Sequence, residues 1–137
     1  MIPAPQRLLV AVYGLFALAA GARSLVQVAT DWDAAPLAYS LSAVAAAVYL
    51  VAAVALALPG RTAELVARAA VAFELAGVLV VGTASLLVPD RFPEATVWSG
   101  YGIGYGLVPL VLPVAGLAWL MWGRRRYGAP PPAEPAA

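Results

Sequence analysis

The stretch SGYGIGYG, Ser99–Gly106, sets glycine at positions 100, 102, 104 and 106, with tyrosines at 101 and 105. How it is read decides the fold. As an extended loop lined by carbonyls, it divides the apolar run around it. As helix, it lets that run cross a membrane once. From Val97 to Trp122 the residues are VWSGYGIGYGLVPLVLPVAGLAWLMW, apolar or small almost throughout. At 1.5 Å per residue this run is long enough for one tilted helix across about 30 Å of hydrocarbon.

Thr96-Val97 precedes the glycines, which gives the stretch a superficial likeness to the T-V-G-Y-G filter of potassium channels. A filter of that kind needs a re-entrant loop between two spans, repeated around an axis. In this sequence only a charged, proline-rich tail follows Trp122, so the helical reading is expected. At 100° per residue, Gly100 and Gly104 then form one groove, and Gly102 and Gly106 a second on roughly the opposite side, with the tyrosines on one flank. Such small-xxx-small surfaces let helix backbones approach closely in lipid. Pro109 and Pro113, one turn apart, free backbone carbonyls and predict a kink near mid-membrane.

Composition sets the class. The 137 residues are 64% hydrophobic and 11% charged, with mean hydropathy +0.88. Soluble domains are about half apolar and a quarter charged, so an integral membrane protein of one domain is expected. The absence of cysteine and histidine excludes disulfides, thiolate or imidazole metal sites and histidine-based acid–base catalysis. A net charge of +1 leaves no nucleic-acid footprint. All eight basic residues are arginine, and with the alanine-rich composition this suggests a bacterial source.

Four spans are predicted, at about 7–29, 37–58, 63–88 and 97–122, within a transmembrane domain of residues 1–127. The Pro/Ala-rich segment 128–137 is expected to be disordered. Pro36 and Pro93 suit first helical turns, Pro59-Gly60 ends the second span, and Thr62 is expected to cap the third with Glu64 in its first turn. The connections are short, so consecutive helices should be antiparallel neighbours. Arg7, Arg61, Arg68 and Arg124–Arg126 fall on one side; TDWDAAP and PDRFPEAT, net acidic, fall on the other. The positive-inside rule then predicts an all-α, antiparallel four-helix transmembrane bundle with both termini cytoplasmic. Trp32 and Trp98 are expected at the outer interface, Trp119 and Trp122 at the inner one. A competing reading makes Arg7, the following apolar run and Ala20–Ala22 (AGA) a signal peptide.

Two charges lie inside apolar runs, Arg23 and Glu74. A charge near the bilayer centre costs about 2.5–3.5 kcal/mol, so it normally faces the bundle and has a role or a partner. The helical rise puts Arg23 and Tyr105 about 7 Å outward of the middle, Ser42 and Thr83 about 9–10 Å outward and Glu74 about 3 Å inward. Gln27 and Tyr101 follow one turn further out. Glu74 shares a small-residue stripe with Ala70, Gly77, Val81 and Ala84. The functional reading is a polar pocket that opens outward, with Arg23 as its wall and Glu74 as its floor, along a ligand or proton path that includes Tyr105, Tyr101, Thr83, Ser42 and Gln27. The structural reading is an Arg23–Glu74 bridge that fixes helix pairing. Arg23 snorkelling to Asp31 or Asp33 is a third.

The stretches APLAYSLS (35–42), FELAGVLVVG (73–82) and TVWSGYGIGYGLVPLVLP (96–113) resemble small four-span membrane proteins of actinobacteria that carry no assigned activity. The E-L-x-G-x-x-x-x-G pattern of residues 74–82 is similar to that of DoxX-type four-helix proteins. The resemblance implies a four-helix membrane fold and supplies no chemistry.

Two functions are expected. One is binding or passage of a small polar or amphiphilic molecule, or of protons, through the outward pocket. The other is an accessory role in a membrane complex or homo-oligomer held through the glycine grooves, with Gly77 also at a packing surface. In either case the bilayer of the bacterial cytoplasmic membrane is the surrounding partner. No cofactor or metal is called for, and without histidine, cysteine or paired carboxylates within a span the usual catalytic sets are missing.

Overall fold

A computed structural model describes residues 2–123, and they form helices and turns with no strand among them. Among the described residues there are four α-helices: α1 (Ala4–Asp31), α2 (Pro36–Ala57), α3 (Arg61–Leu87) and α4 (Val108–Ala118), the last running on into a π-helical turn, Trp119–Gly123. Three of them, α1 to α3, are long and apolar enough to cross a membrane. The number rises to four if the bent pair Ser99–Tyr105 and Val108–Gly123 counts as one span. The arginine cluster at 124–126 and the segment 128–137 lie outside the described residues.

The helix ends follow local chemistry. Proline lies in the first turn of both helices, Pro5 at the second position of α1 and Pro36 at the first of α2, where the missing N–H is no loss. Gly60, at φ 103°, precedes α3 in a conformation that only glycine adopts freely. Thr62, expected as the cap of α3, lies inside its first turn, and no side chain caps the helix.

Each helix buries one stripe. On α2 the buried residues Ala38, Ser42, Ala45, Tyr49, Ala52 and Leu56 recur every three or four positions, which is one helical face. Its alanines let α1 come close: a Cβ added at Gly21 would sit 3.9 Å from Ala46. Gln6 Nε2, near the start of α1, donates to the Leu56 carbonyl near the end of α2 (2.6 Å), and Tyr39, near the start of α2, donates to Asp31 at the end of α1 (3.3 Å). Arg68 on α3 donates to the Leu120 carbonyl, 3.1 Å, and to Glu64, 2.8 Å.

The glycine stretch departs from the expected helix. A reciprocal pair starts it: Thr96 N–H donates to Ser99 Oγ (2.8 Å) and Ser99 N–H to Thr96 Oγ1 (3.0 Å), the arrangement of a capping box. The chain makes less than one turn before Gly100, Tyr101 and Gly102 enter the left-handed region, at φ 56°, 61° and 83°. Gly106 and Leu107 do the same at 65° and 63°. The two grooves expected from Gly100/Gly104 and Gly102/Gly106 are therefore not formed, because they require right-handed helix throughout.

The bend expected at Pro109 and Pro113 exists and has another cause. Ser99–Tyr105 and Val108–Gly123 meet at 99°, and the turn is made by Gly106 and Leu107. Pro109 sits in the first turn of α4, and Pro113 lies inside α4 without ending it.

What holds the stretch is α3. Gly77 and Gly82 leave room for rings: a Cβ at Gly77 would lie 2.6 Å from Trp98, and one at Gly82 would overlap Tyr101. Gly77 thus does serve packing, as expected, but for an indole rather than a helix. The tryptophans divide accordingly. Trp32 and Trp122 are exposed, whereas Trp98 and Trp119, expected at interfaces, are buried.

Candidate functional site

Glu74 is fully buried on the inward stripe of α3, beside Ala70, Val78 and Val81. Its partner is Tyr13 of α1, whose hydroxyl donates to Glu74 Oε2 at 2.6 Å. Glu74 Oε1 has no hydrogen-bond partner among the described residues. Tyr13 is also fully buried. Its ring lies 6.1 Å from that of Tyr49 on α2, and Tyr49 Oη accepts from the Trp98 indole N–H at 2.9 Å. Glu74, Tyr13, Tyr49 and Trp98 form a polar core drawn from α1, α2, α3 and the stretch before α4.

Arg23 is elsewhere. It is exposed on α1, and one guanidinium N–H donates to Tyr105 Oη at 2.9 Å. The expected Arg23–Glu74 bridge is absent, and so is snorkelling onto Asp31, which receives Tyr39 instead. Of the two charges within apolar runs, only Glu74 faces the interior. Arg23 sits one residue before the buried stripe of α1, which runs through Gln6, Leu9, Tyr13, Ala20 and Ser24, and so projects at that stripe's edge.

Arg23 lines a cleft of about 320 Å³ with Ser85, Phe92, Ala95, Thr96, Ser99, Gly100, Ile103, Gly104 and Tyr105. The cleft exists because the left-handed turn swings 99–105 across the end of α3, where Gly100 N–H donates to Ser85 Oγ (2.9 Å) and the Tyr101 and Thr83 hydroxyls share a hydrogen bond (2.9 Å). The pocket expected as one is thus two separate features. Between them stands a ladder of rings: Phe16 lies 5.7 Å from Tyr105 and 5.8 Å from Tyr49.

Of the residues expected along the path, Arg23 and Tyr105 meet in the cleft. Tyr101 and Thr83 pair beside it. Ser42 is buried on α2, and Gln27 is half-buried on α1, both outside the lining. Gly100 and Gly104 line the cleft, Gly102 packs under Pro109, and Gly106 forms the bend. Tyr13, Tyr49 and the inward role of Trp98 were not anticipated. A signal for Tyr13 exists in the sequence: Gln6, Tyr13 and Ser24 fall on one helical stripe, and polar side chains aligned on an apolar helix mark its inner face.

Among the described residues no group of histidine, cysteine or acidic side chains is arranged to hold a metal. Comparison with known family models, curated proteins and solved structures finds no match to this chain, so the chemistry rests on these residues alone.

Proposed function

We propose that the chain is an antiparallel four-helix bundle of the bacterial cytoplasmic membrane, with both termini cytoplasmic, and that it binds a small polar or amphiphilic molecule in the cleft at its outer end. The observation that carries the binding reading is the cleft itself. It gathers a cation, hydroxyls and apolar surface within about 320 Å³, at the small end of ligand sites, and strained backbone builds it. Tyr101 and Leu107 are both left-handed without being glycine. Strain of about 1–3 kcal/mol per residue persists only where the surroundings enforce it, and it concentrates at functional sites.

Glu74 belongs to the scaffold in this reading. It is sealed by Tyr13 and separated from the cleft by the aromatic ladder. The orientation rests on the arginines and on the short connections. The antiparallel order is supported by the pairing of α1 with α2 at both ends and of Arg68 with Leu120.

Two measurements test this. Cysteines at Asp33 and Glu94 should react with a membrane-impermeant thiol reagent in intact cells, and one at Arg61 should not; labelling at Arg61 in sealed cells reverses the topology. For the cleft, Gly104 lines it, and a Cβ there meets no atom within 4 Å, so Gly104→Leu adds bulk without a backbone clash. Mass analysis of molecules that co-purify in mild detergent should show one retained by the unaltered chain and lost from Gly104→Leu. Equal retention by both removes the cleft as the site.

A further inference from the structure

Resting on the cleft as the binding site, we infer that its ligand is a small anion with a short apolar tail, a phosphate, sulfonate or carboxylate gripped by Arg23. Among the described residues, no aspartate or glutamate lines the cleft, and Arg23 is its only cation. Among the described residues Arg23 forms no ion pair, and its guanidinium makes a single hydrogen bond, to Tyr105. The rest of its five N–H donors have no protein acceptor there. An arginine within an apolar helix is costly without a counter-charge, and among the described residues no carboxylate lies within ion-pair distance of it. The Tyr105 hydroxyl, braced by the Phe16 ring, orients the planar fork of donors. That fork matches the paired oxygens of a carboxylate or phosphate.

The remaining lining fits the same molecule. Ser85 already donates to the Gly82 carbonyl and Thr96 and Ser99 share a hydrogen bond, which leaves one hydroxyl proton of that pair to face the charge, while Phe92 and Ile103 give an apolar wall for a tail. At about 320 Å³ the space admits a headgroup and a few methylenes. An anionic phospholipid headgroup and a free alkyl phosphate present the same chemistry to Arg23, and the test has an arm for each.

In the first arm the full chain in neutral detergent is titrated calorimetrically with hexyl phosphate and, separately, with hexanol. In the second it is placed in nanodiscs of mixed phosphatidylglycerol and phosphatidylcholine, and retained lipid is read by native mass spectrometry. Hexyl phosphate should bind and hexanol should not. Arg23→Gln should weaken hexyl phosphate tenfold or more, the loss expected for a charge-assisted hydrogen bond, and Arg23→Lys should recover part of it. Phosphatidylglycerol retention over phosphatidylcholine that disappears in Arg23→Gln, without hexyl phosphate binding, supports the anion and assigns its source to lipid. Hexanol binding as tightly as hexyl phosphate, unaffected by Arg23→Gln but blocked by Gly104→Leu, overturns the anion and keeps the cleft. Neither probe binding, together with no lipid preference, overturns the anion. A bound anion indifferent to Gly104→Leu overturns both readings.

Discussion

Gly102→Val is expected to destabilise the folded chain by about 2–5 kcal/mol, while Gly104→Val, two residues along, stays within about 0.5 kcal/mol of the parent. The two glycines look alike in the sequence and differ in every physical respect. Gly102 has φ +83°, and a Cβ added there would lie 2.6 Å from Pro109 Cβ and Cγ. A β-branched side chain in the left-handed region is a genuine outlier, costing about 1–2 kcal/mol, and overpacking against a buried proline adds about 1–3 kcal/mol. Gly104 has an ordinary φ and open space. Denaturant midpoints of the purified variants in detergent measure the difference, and equal midpoints would mean that the left-handed turn is not part of the folded state. One corollary concerns assembly. The pair Gly102→Leu, Gly106→Leu damages the chain's own turn, so loss of a complex in that variant carries no information about a partner surface.

Tyr13→Phe is expected to cost about 1–3 kcal/mol, the penalty for stripping a buried acceptor of its donor. Glu74 is fully buried, and its Oε1 already lacks a partner, so the Tyr13 hydroxyl is the donor that holds the carboxyl. Removing both polar groups together, in Tyr13→Phe with Glu74→Leu, should return most of the loss, because the cost lies in the orphaned group rather than in the absent bond. A double-mutant cycle reads the coupling. Hydrogen bonds within membrane bundles average about 0.6 kcal/mol and reach about 1.7 kcal/mol, and a carboxyl partner belongs at the upper end. Strict additivity of the two changes would show that the pair contributes nothing. Arg23→Leu combined with Glu74→Leu should be additive, in contrast to the expectation from sequence, since the structure gives these residues different partners.

The first three helices were legible because length and apolar character alone define them. The expected spans 7–29, 37–58 and 63–88 differ from α1, α2 and α3 by a few residues at each end, the displacement that proline and glycine punctuation leaves open. The inward face of α3 was legible too, because Glu74 and the small residues around it recur at helical spacing. The fourth segment was not. An apolar run of 26 residues carries no mark of backbone handedness, and a glycine that lacks a Cβ enters left-handed turns as readily as helix. The decision is made on α3, where Gly77 and Gly82 receive the Trp98 and Tyr101 rings, and a pairing of that kind leaves no local periodicity. Arg23 failed for a related reason. It is level with Tyr105 as expected, but one position of rotation separates it from the stripe through Tyr13, and 100° decides whether a side chain meets Glu74 or Tyr105.

The sharp turn at Gly106 and Leu107 has a consequence for the surrounding lipid. Helices α1 and α3, at 28 and 27 residues, rise about 40 Å each, whereas Val108–Gly123 rises about 24 Å. Helices α1 and α3 thus exceed the roughly 30 Å of a typical hydrocarbon layer, and the α4 segment falls short of it. A long helix answers by tilting and a short one by thinning the bilayer, at fractions of a kcal/mol per Å of mismatch. Set in a bilayer, the bundle is therefore expected to impose a thickness gradient on it. Acyl chains beside α4, where Ile103 and Leu107 are exposed, are expected to be the compressed ones.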